Sequence, residues 1–136
     1  MLKIHRFGEP ENEYLRAEHV TEFPKLKIAV LIDEETASSA EVLAGILHLK
    51  CDAELIGQRS FGKGTIQSFY AFDGNGGAKF TTGEFYLPDG RRVEGFGLRP
   101  QVPVQNCRDS SSGSLSRLLE DECVQAAIEL ARSSSH

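Results

Sequence analysis

The sequence predicts an α/β fold, in which a strand–helix–strand unit is followed by an antiparallel hairpin and a C-terminal helix. Two observations predict it. An apolar, β-branched run over residues 27–33 leads into a helical pattern of apolar residues. Further along, two strand-like segments flank a glycine-rich turn at 73–77. With 136 residues, 40% of them apolar, the chain has the length of one domain or of a piece of a larger protein.

The strand–helix–strand unit is predicted between residues 27 and 57. Residues 27–33 are typical of a strand buried on both faces, and residues 53–57 of a second short strand. Four apolar residues between them share one helical face: Val42, Leu43, Ile46 and Leu47. Because one helix connects the two strands, we expect them to be parallel.

The rest of the chain divides by composition. The hairpin is predicted over 65–72 and 79–87, a third strand starts at Arg92 and Val93, and an amphipathic helix covers 115–132. The predicted units are a polar arm (1–24), a core (25–105), a Ser-rich linker (106–114), the C-terminal helix packing on the core (115–132) and a disordered tail (133–136).

Charge and cysteine usage exclude several classes of function. The net charge of −5 supplies no basic surface, so nucleic acid is not expected as a partner. Three cysteines without a Cys-x-x-Cys pair make a zinc site unexpected, and their odd number argues against a closed disulfide framework. We also expect neither a membrane-spanning segment nor a secretory signal in this sequence.

Ser38 is the first candidate for catalysis. It lies where the first strand turns into the helix, and the free N–H groups of a helix N-terminus can stabilise the negative charge that develops in acyl transfer. The alternative is a structural role, because Ser38 followed by Glu41 is a capping-box pattern. Either Ser38 or Ser39 could act as the cap.

Lys63 is the second candidate. It stands between Gly62 and Gly64 and is followed by a hydrophobic strand, so a buried, neutral Lys63 could act as a general base. A solvated turn lysine is the alternative. A phosphate-binding loop beginning at Gly57 is disfavoured, because neither the required Ser or Thr nor a helix follows Lys63.

The two candidates gain weight together. The crossover connection returns the chain to the same end of the sheet, so Ser38 and Lys63 can reach one crevice. Gln67, four positions after Lys63, is within reach to orient its amine.

Over roughly residues 25–132 the sequence resembles the carboxy-terminal processing, or tail-specific, serine peptidases, which use a Ser/Lys dyad. The motifs are Thr-Ala-Ser-Ser-Ala-Glu-Val-Leu-Ala-Gly at 36–45, Ile-Gly at 56–57, Phe-Gly-Lys-Gly-Thr-Ile-Gln at 61–67, the Thr-Thr to Pro-Asp-Gly-Arg stretch at 80–91 and Gly-Phe-Gly-Leu-Arg-Pro at 95–100.

The resemblance implies a crotonase-like core that needs neither metal nor cofactor. Ser38 would be the nucleophile, Lys63 the base, Gln67 the residue that positions Lys63, and the backbone N–H of Ser39 an oxyanion donor. Lys63 would then have to be buried and neutral near pH 7. Substrates would be protein or peptide C-termini. The protein would lie in the periplasm or another extracytoplasmic space, or in an organelle lumen.

The family's earlier strand with a Gly-Gly pair, which gives the second oxyanion donor, has no counterpart before Ser38, and no PDZ module is visible. We therefore expect a core truncated on its N-terminal side, which forms a homo-oligomer or associates with the missing part. The alternative function is an inactive fragment that acts as a binding or oligomerising module on the same fold.

Overall fold

The computed structural model describes residues 2–16, 26–74, 76–107 and 115–133. The elements in chain order are β1 (Leu2–Arg6), β2 (Glu13–Leu15), β3 (Ala29–Ile32), α1 (Ser39–Cys51), β4 (Glu54–Gly57), β5 (Thr65–Phe72), β6 (Gly76–Tyr86), β7 (Val102–Pro103), α2 (Leu115–Leu118) and α3 (Glu122–Ser133). The predicted mixed α/β class is confirmed.

The strands form two sheets. One is antiparallel, with strand order β2-β1-β6-β5, and the other is parallel, with order β3-β4-β7. A shared core joins them, because Ile4 of β1, Ile32 of β3, Leu55 of β4 and Phe85 of β6 are buried in one cluster. The site described below lies where the two sheets and α1 meet.

The predicted strand–helix–strand unit is present, and its strands are parallel as expected. Ala29 pairs with Glu54 and Ile32 with Gly57. The predicted burial is wrong in two places. Leu31 is exposed, so β3 is covered on one face only among the described residues. On α1 the buried residues are Glu41, Ala44 and Gly45, whereas Leu43 is 60% exposed.

Gly45 explains why α1 turns this face inward. A Cβ atom at Gly45 would lie 2.5 Å from Leu87 Cδ2, so the helix sits directly on that side chain. A narrow face of small residues therefore packs closely, with Val42 and Leu49 packed at its margin, whereas Leu43 lies on the exposed side of α1.

The described part of the predicted polar arm forms two strands that composition did not indicate. β1 lies inside the antiparallel sheet, where Lys3 pairs with Tyr86 on one side and with Tyr14 on the other. β1 contains two apolar residues, Leu2 and Ile4, which are too few to establish a strand period from sequence. The predicted hairpin is confirmed as β5 and β6, whereas the predicted third strand is reduced to one bridge between Tyr86 and Arg92.

The C-terminal helix is divided rather than continuous. Asp121 separates α2 from α3, because its Oδ1 accepts hydrogen bonds from the backbone N–H groups of Cys123 (2.8 Å) and Val124 (3.1 Å). A disulfide joins Cys107 to Cys123, and the inference from the odd cysteine count is wrong because Cys51 alone is free. Residues 108–114 of the predicted linker and 134–136 of the predicted tail lie outside the described residues. In the described part of the chain no helix is long and apolar enough to cross a membrane.

Candidate active site

The site begins with a tight turn at the end of β3. The Asp33 carboxylate accepts hydrogen bonds from the Thr36 backbone N–H (2.8 Å) and from Thr36 Oγ1 (2.7 Å), both at Oδ1. An aspartate that binds its own backbone a few residues on is a common way to close a turn. Asp33 therefore serves to aim the chain from β3 into α1.

Ser38 ends this turn in a strained backbone conformation. It is the N-cap residue of α1, with φ 56° and ψ −120°. Ordinary N-cap residues have β-region dihedrals, so capping alone does not explain this geometry. A non-glycine residue held at positive φ costs about 1–3 kcal/mol, and such strain concentrates at functional sites. A sharp strand-to-helix turn of this kind presents the nucleophile in several serine hydrolases.

Lys63 lies on the loop between β4 and β5, which is bound closely to the Ser38 turn. The Phe61 backbone N–H donates to the Thr36 carbonyl at 2.9 Å. Gly62 has φ +89°, and a Cβ atom there would lie 2.8 Å from the Gly97 nitrogen. Only glycine permits both this dihedral and this approach, so the loop has little freedom beside Lys63.

Glu41 joins the two segments. Its carboxylate is fully buried, and Oε2 accepts hydrogen bonds from the backbone N–H groups of Ser38 (2.9 Å) and Lys63 (2.8 Å). Oε1 accepts from the Ser60 hydroxyl (2.5 Å) and from the Gly62 N–H (2.8 Å). One carboxylate thus holds the backbones of both candidate residues, and four donors satisfy its buried oxygens.

A second loop, residues 93–98, supports the Lys63 loop from outside. Ser60 Oγ accepts the Leu98 N–H at 2.6 Å, and Glu94 Oε2 accepts the Gly64 N–H at 2.6 Å. The Gly95 N–H donates to the Gly62 carbonyl at 2.9 Å. The Lys63 backbone is therefore fixed between Glu41 and this loop.

An ion pair anchors β6 close to the same region. The Glu84 carboxylate, which is buried, binds Arg92 through Nε at 2.8 Å and Nη2 at 2.6 Å. The hydrogen bonds from Arg92 hold the pKa of Glu84 below its ordinary value. Since Glu84 pairs with Thr65 across the hairpin, this pair steadies the start of β5.

The structure brings the backbones of Ser38 and Lys63 together through Glu41. Within the described ranges, no hydrogen bond links Ser38 Oγ to Lys63 Nζ, or Gln67 to Lys63, and Lys63 is exposed rather than buried as expected. Gln67 is exposed on β5 at a register shift against β6. The Ser39 N–H belongs to the first turn of α1, where N–H groups lack a partner inside the helix.

The alternatives raised by the sequence fare differently. The half of the capping box that Glu41 supplies is present, because its Oε2 accepts the Ser38 N–H. The phosphate-binding loop that the sequence disfavours is also excluded by the structure, because strand β5 rather than a helix follows Lys63. Among the described residues no cluster of His, Cys, Asp or Glu could hold a metal ion.

Sequence reasoning missed the central part played by Glu41. The capping-box spacing gave its bond to Ser38, but its bonds to Ser60, Gly62 and Lys63 span 19 to 22 positions. The sequence contains one weak signal of this role. Glu41 lies on the same helix face as the small residues Ala44 and Gly45, and a glutamate on a buried face needs hydrogen-bond partners.

Comparison with known proteins gives relatives of one kind. The chain is 34% identical over 93 residues to the carboxy-terminal processing protease CtpA of Bacillus subtilis, covering 68% of this chain and 20% of that protein. It is 37% identical over 73 residues to the chloroplastic carboxyl-terminal-processing peptidase 1 of Arabidopsis thaliana, covering 54% of this chain and 15% of the relative. The chain thus spans about a fifth or less of these relatives.

Solved structures and a family model agree with these relatives. The photosystem II D1 C-terminal processing protease superposes with a TM-score of 0.55 at 33% identity, over 58% of this chain and 20% of that one. A lipoprotein from Streptococcus agalactiae, at 20% identity and a TM-score of 0.58 over 79% of this chain and 32% of that one, shares the fold. The sequence model described as peptidase family S41 matches residues 2–104, which include the Ser38 turn, Glu41 and the Lys63 loop. This chain belongs to peptidase family S41.

Proposed function

We propose that this chain carries the catalytic residues of a serine-type endopeptidase that cleaves proteins near their C-termini. The observation that carries the proposal is the strained backbone of Ser38 at the start of α1, tied through Glu41 to the Lys63 loop. Neither capping nor turn formation requires that geometry, whereas strained strand-to-helix turns are typical of presented serine nucleophiles. Membership of peptidase family S41 and the names of its processing-protease relatives support the assignment.

The reaction would proceed through an acyl-enzyme. Lys63 Nζ removes the proton from Ser38 Oγ, which attacks the carbonyl carbon of the scissile peptide bond. The N–H of Ser39 donates to the resulting oxyanion. Lys63 then returns the proton to the departing amine, and in the second half activates the water that hydrolyses the ester on Ser38.

Two further conditions complete this mechanism. Gln67 positions the Lys63 amine, four positions away along the start of β5. Lys63, exposed here, must lose its water when substrate binds, because a desolvated lysine gives up its proton more readily. Hydrogen bonds between catalytic groups are often long in the free enzyme and shorten when substrate binds. The absence of a bond between the Ser38 and Lys63 side chains is therefore compatible with this mechanism.

We also propose that the two sheets and α1 are part of a crotonase-like core that other segments complete. The position of β3 at the edge of the parallel sheet supports this, since no described strand pairs with its other side. Leu31 of β3 and Leu43 of α1 are also exposed. The covering segment, whether a second copy or another part of such a core, would supply the second oxyanion donor. Loss of one such donor lowers the rate by about 10²–10³-fold.

The proposed setting is an extracytoplasmic space or an organelle lumen. The Cys107–Cys123 disulfide supports it, because disulfides persist in oxidising compartments. The proposed substrates are flexible C-terminal segments of proteins, in keeping with the processing activity for which the relatives are named. Neither a metal nor a cofactor takes part in the proposed steps.

A serine-reactive fluorophosphonate tests the nucleophile directly, because labelling does not require a complete substrate site. We expect one label on Ser38, located by mass spectrometry, and none on the Ser38→Ala variant. Ser39→Ala is the matched control, since it removes a neighbouring hydroxyl and keeps the backbone N–H. Labelling of the wild-type chain no faster than of Ser38→Ala would contradict the proposal and favour a non-catalytic binding module.

A further inference from the structure

The β5–β6 hairpin extends beyond the body of the antiparallel sheet. β1 pairs with β6 only from Gly83 to Tyr86, whereas β5 and β6 continue to pair out to Phe72 and Gly76. An isolated two-stranded ribbon is only marginally stable in water. The outer part of this hairpin therefore has an unusual amount of uncovered surface.

The free edge of that ribbon is β5. It lies at the end of the strand order β2-β1-β6-β5, and no described strand pairs with its other side. Its eight residues, Thr-Ile-Gln-Ser-Phe-Tyr-Ala-Phe, contain neither a charge nor a proline. Proteins normally protect a free edge strand with charged residues or proline. Because β5 has neither, its edge is available to pair with another strand.

Aromatic side chains line this edge on both faces of the sheet. Phe69 is 77% exposed, and Tyr70 and Phe72 are more than half exposed. Tyr70 is held edge-to-face against Phe80 of β6, with ring centroids 5.9 Å apart. A strand laid along β5 would cover these rings with its own alternating side chains.

The same edge leads to the proposed dyad. β5 begins two positions after Lys63, and the Gly64 carbonyl accepts the Phe85 N–H at 2.9 Å, so strand pairing starts directly at the lysine loop. Gln67, the proposed positioning residue, is itself part of β5. A strand paired with β5 therefore has one end beside Lys63.

We infer that the free edge of β5 binds an extended segment of the substrate as an added β-strand and delivers it to Ser38 and Lys63. This inference rests on the proposed peptidase function. Main-chain hydrogen bonds to β5 would supply affinity with little demand on sequence, as in other strand-addition complexes. The added strand would also shield Lys63 from water.

The test measures binding without turnover. The probe is an eight-residue peptide of alternating alanine and valine, as long as β5, with a fluorophore at its N-terminus, titrated into the Ser38→Ala variant and followed by fluorescence anisotropy. Two further peptides carry backbone N-methyl groups at the odd or at the even positions. Alternate residues of a strand turn their N–H groups to its neighbour, so only one of the two sets points at β5.

We expect one methylated peptide to bind at least about tenfold more weakly than the parent peptide and the other to bind like it, since only one set of methyl groups removes the hydrogen bonds that pair the peptide with β5. Equal loss with both peptides, or no binding of the parent peptide, would overturn the inference. Because Ser38→Ala has no nucleophile, this result is independent of the outcome of the labelling experiment.

A substitution on the protein locates the site. Phe69→Thr keeps a β-forming residue and removes the exposed ring, and we expect it to weaken peptide binding several-fold. Phe7→Thr is the control, because Phe7 is a half-exposed aromatic residue on a turn away from β5. Equal binding by both variants would place the peptide elsewhere. A concentration-dependent dimer that Phe69→Thr abolishes while the parent peptide fails to bind would assign β5 to a second copy instead.

Discussion

Ser38 and Lys63 share one hydrogen-bond acceptor, the Oε2 atom of Glu41, although 25 positions separate them in the sequence. Their backbone nitrogens therefore lie within two hydrogen-bond lengths of each other. The nucleophile turn and the lysine loop are thus held as one unit by a buried carboxylate, even though the two side chains form no bond to each other in the described structure. Positioning of the site depends on a residue that performs no chemical step.

Replacing Glu41 by Gln should lower the free energy of unfolding by about 2–4 kcal/mol, because an amide in place of the carboxylate leaves buried N–H groups of the Ser38 and Lys63 loops without an acceptor. Urea denaturation followed by circular dichroism measures this. Glu35→Gln, an exposed glutamate before the same helix, should change stability by less than about 0.5 kcal/mol. Equal effects of the two substitutions would show that the Glu41 bonds are not stabilising.

Replacing Lys63 by Arg should reduce the fluorophosphonate labelling rate of Ser38 by about 10²-fold or more, because a guanidinium does not give up its proton at any accessible pH. The positive charge and the backbone remain, so the fold should be retained. Lys50→Arg, on the exposed end of α1, should label at the wild-type rate. A Lys63→Arg variant with normal labelling would leave Ser38 without its proposed base.

The parts of the fold that the sequence predicts are those encoded within a short stretch of chain. The strand–helix–strand unit from β3 to β4 and the β5–β6 hairpin depend on local periodicity and turn residues, and both are present. β1 was missed because its position comes from pairing with β6, about 80 residues away, rather than from its own composition. The face of α1 was misjudged because close approach to Leu87 favours the side of Gly45 over the side of Leu43.

The candidate site likewise consists of residues that local motifs predict and of contacts that they do not predict. Ser38, Lys63 and Gln67 were found from motif and spacing, and their proposed roles await the experiments above. The network around Glu41 was not found, because its partners at Ser60, Gly62 and Lys63 come from another loop and meet it only in three dimensions. The exposure of Lys63 also differs from the expectation, since burial depends on what covers the loop and not on the residues within it.

The ion pair between Glu84 and Arg92 should make stability depend on pH in the acid range. Because its pKa is lowered in the folded chain, Glu84 stabilises the fold above its ordinary value of 4.5, and this contribution is lost as the pH falls through the lower folded value. Glu84→Gln should therefore be less stable than the wild type at pH 7, and the difference should shrink progressively as the pH falls below 4.5. Urea midpoints measured across this range follow the difference.

Glu11→Gln serves as the control for this pH series, because Glu11 is exposed on the turn between β1 and β2. Its urea midpoints should follow those of the wild type throughout. A constant gap between Glu84→Gln and the wild type from pH 7 to pH 3 would show that the ionisation of Glu84 is not responsible for the effect.

Reduction of the Cys107–Cys123 disulfide should destabilise the chain by about 3 kcal/mol, as expected for opening a loop of 16 positions. The bond ties α3 to the segment after β7, so α3 should become the region most easily digested by a protease. The matched variants are Cys107→Ser and Cys51→Ser, of which only the first should reproduce the effect of a reductant. Three titratable thiols in the unreduced protein would contradict the pairing.

Replacing Gly62 by Ala should damage the site more than the same change at Gly74. Both glycines have positive φ, +89° and +115°, so the backbone strain of an added methyl group is similar. At Gly62 the new Cβ atom would also lie 2.8 Å from the Gly97 nitrogen, whereas at Gly74 nothing lies within 4 Å. The difference in the free energy of unfolding between Gly62→Ala and Gly74→Ala therefore measures the contact between the Lys63 loop and the 93–98 loop. We expect Gly62→Ala to unfold at lower urea concentration and to label more slowly at Ser38. Equal urea midpoints for the two variants would mean that the two loops separate without cost.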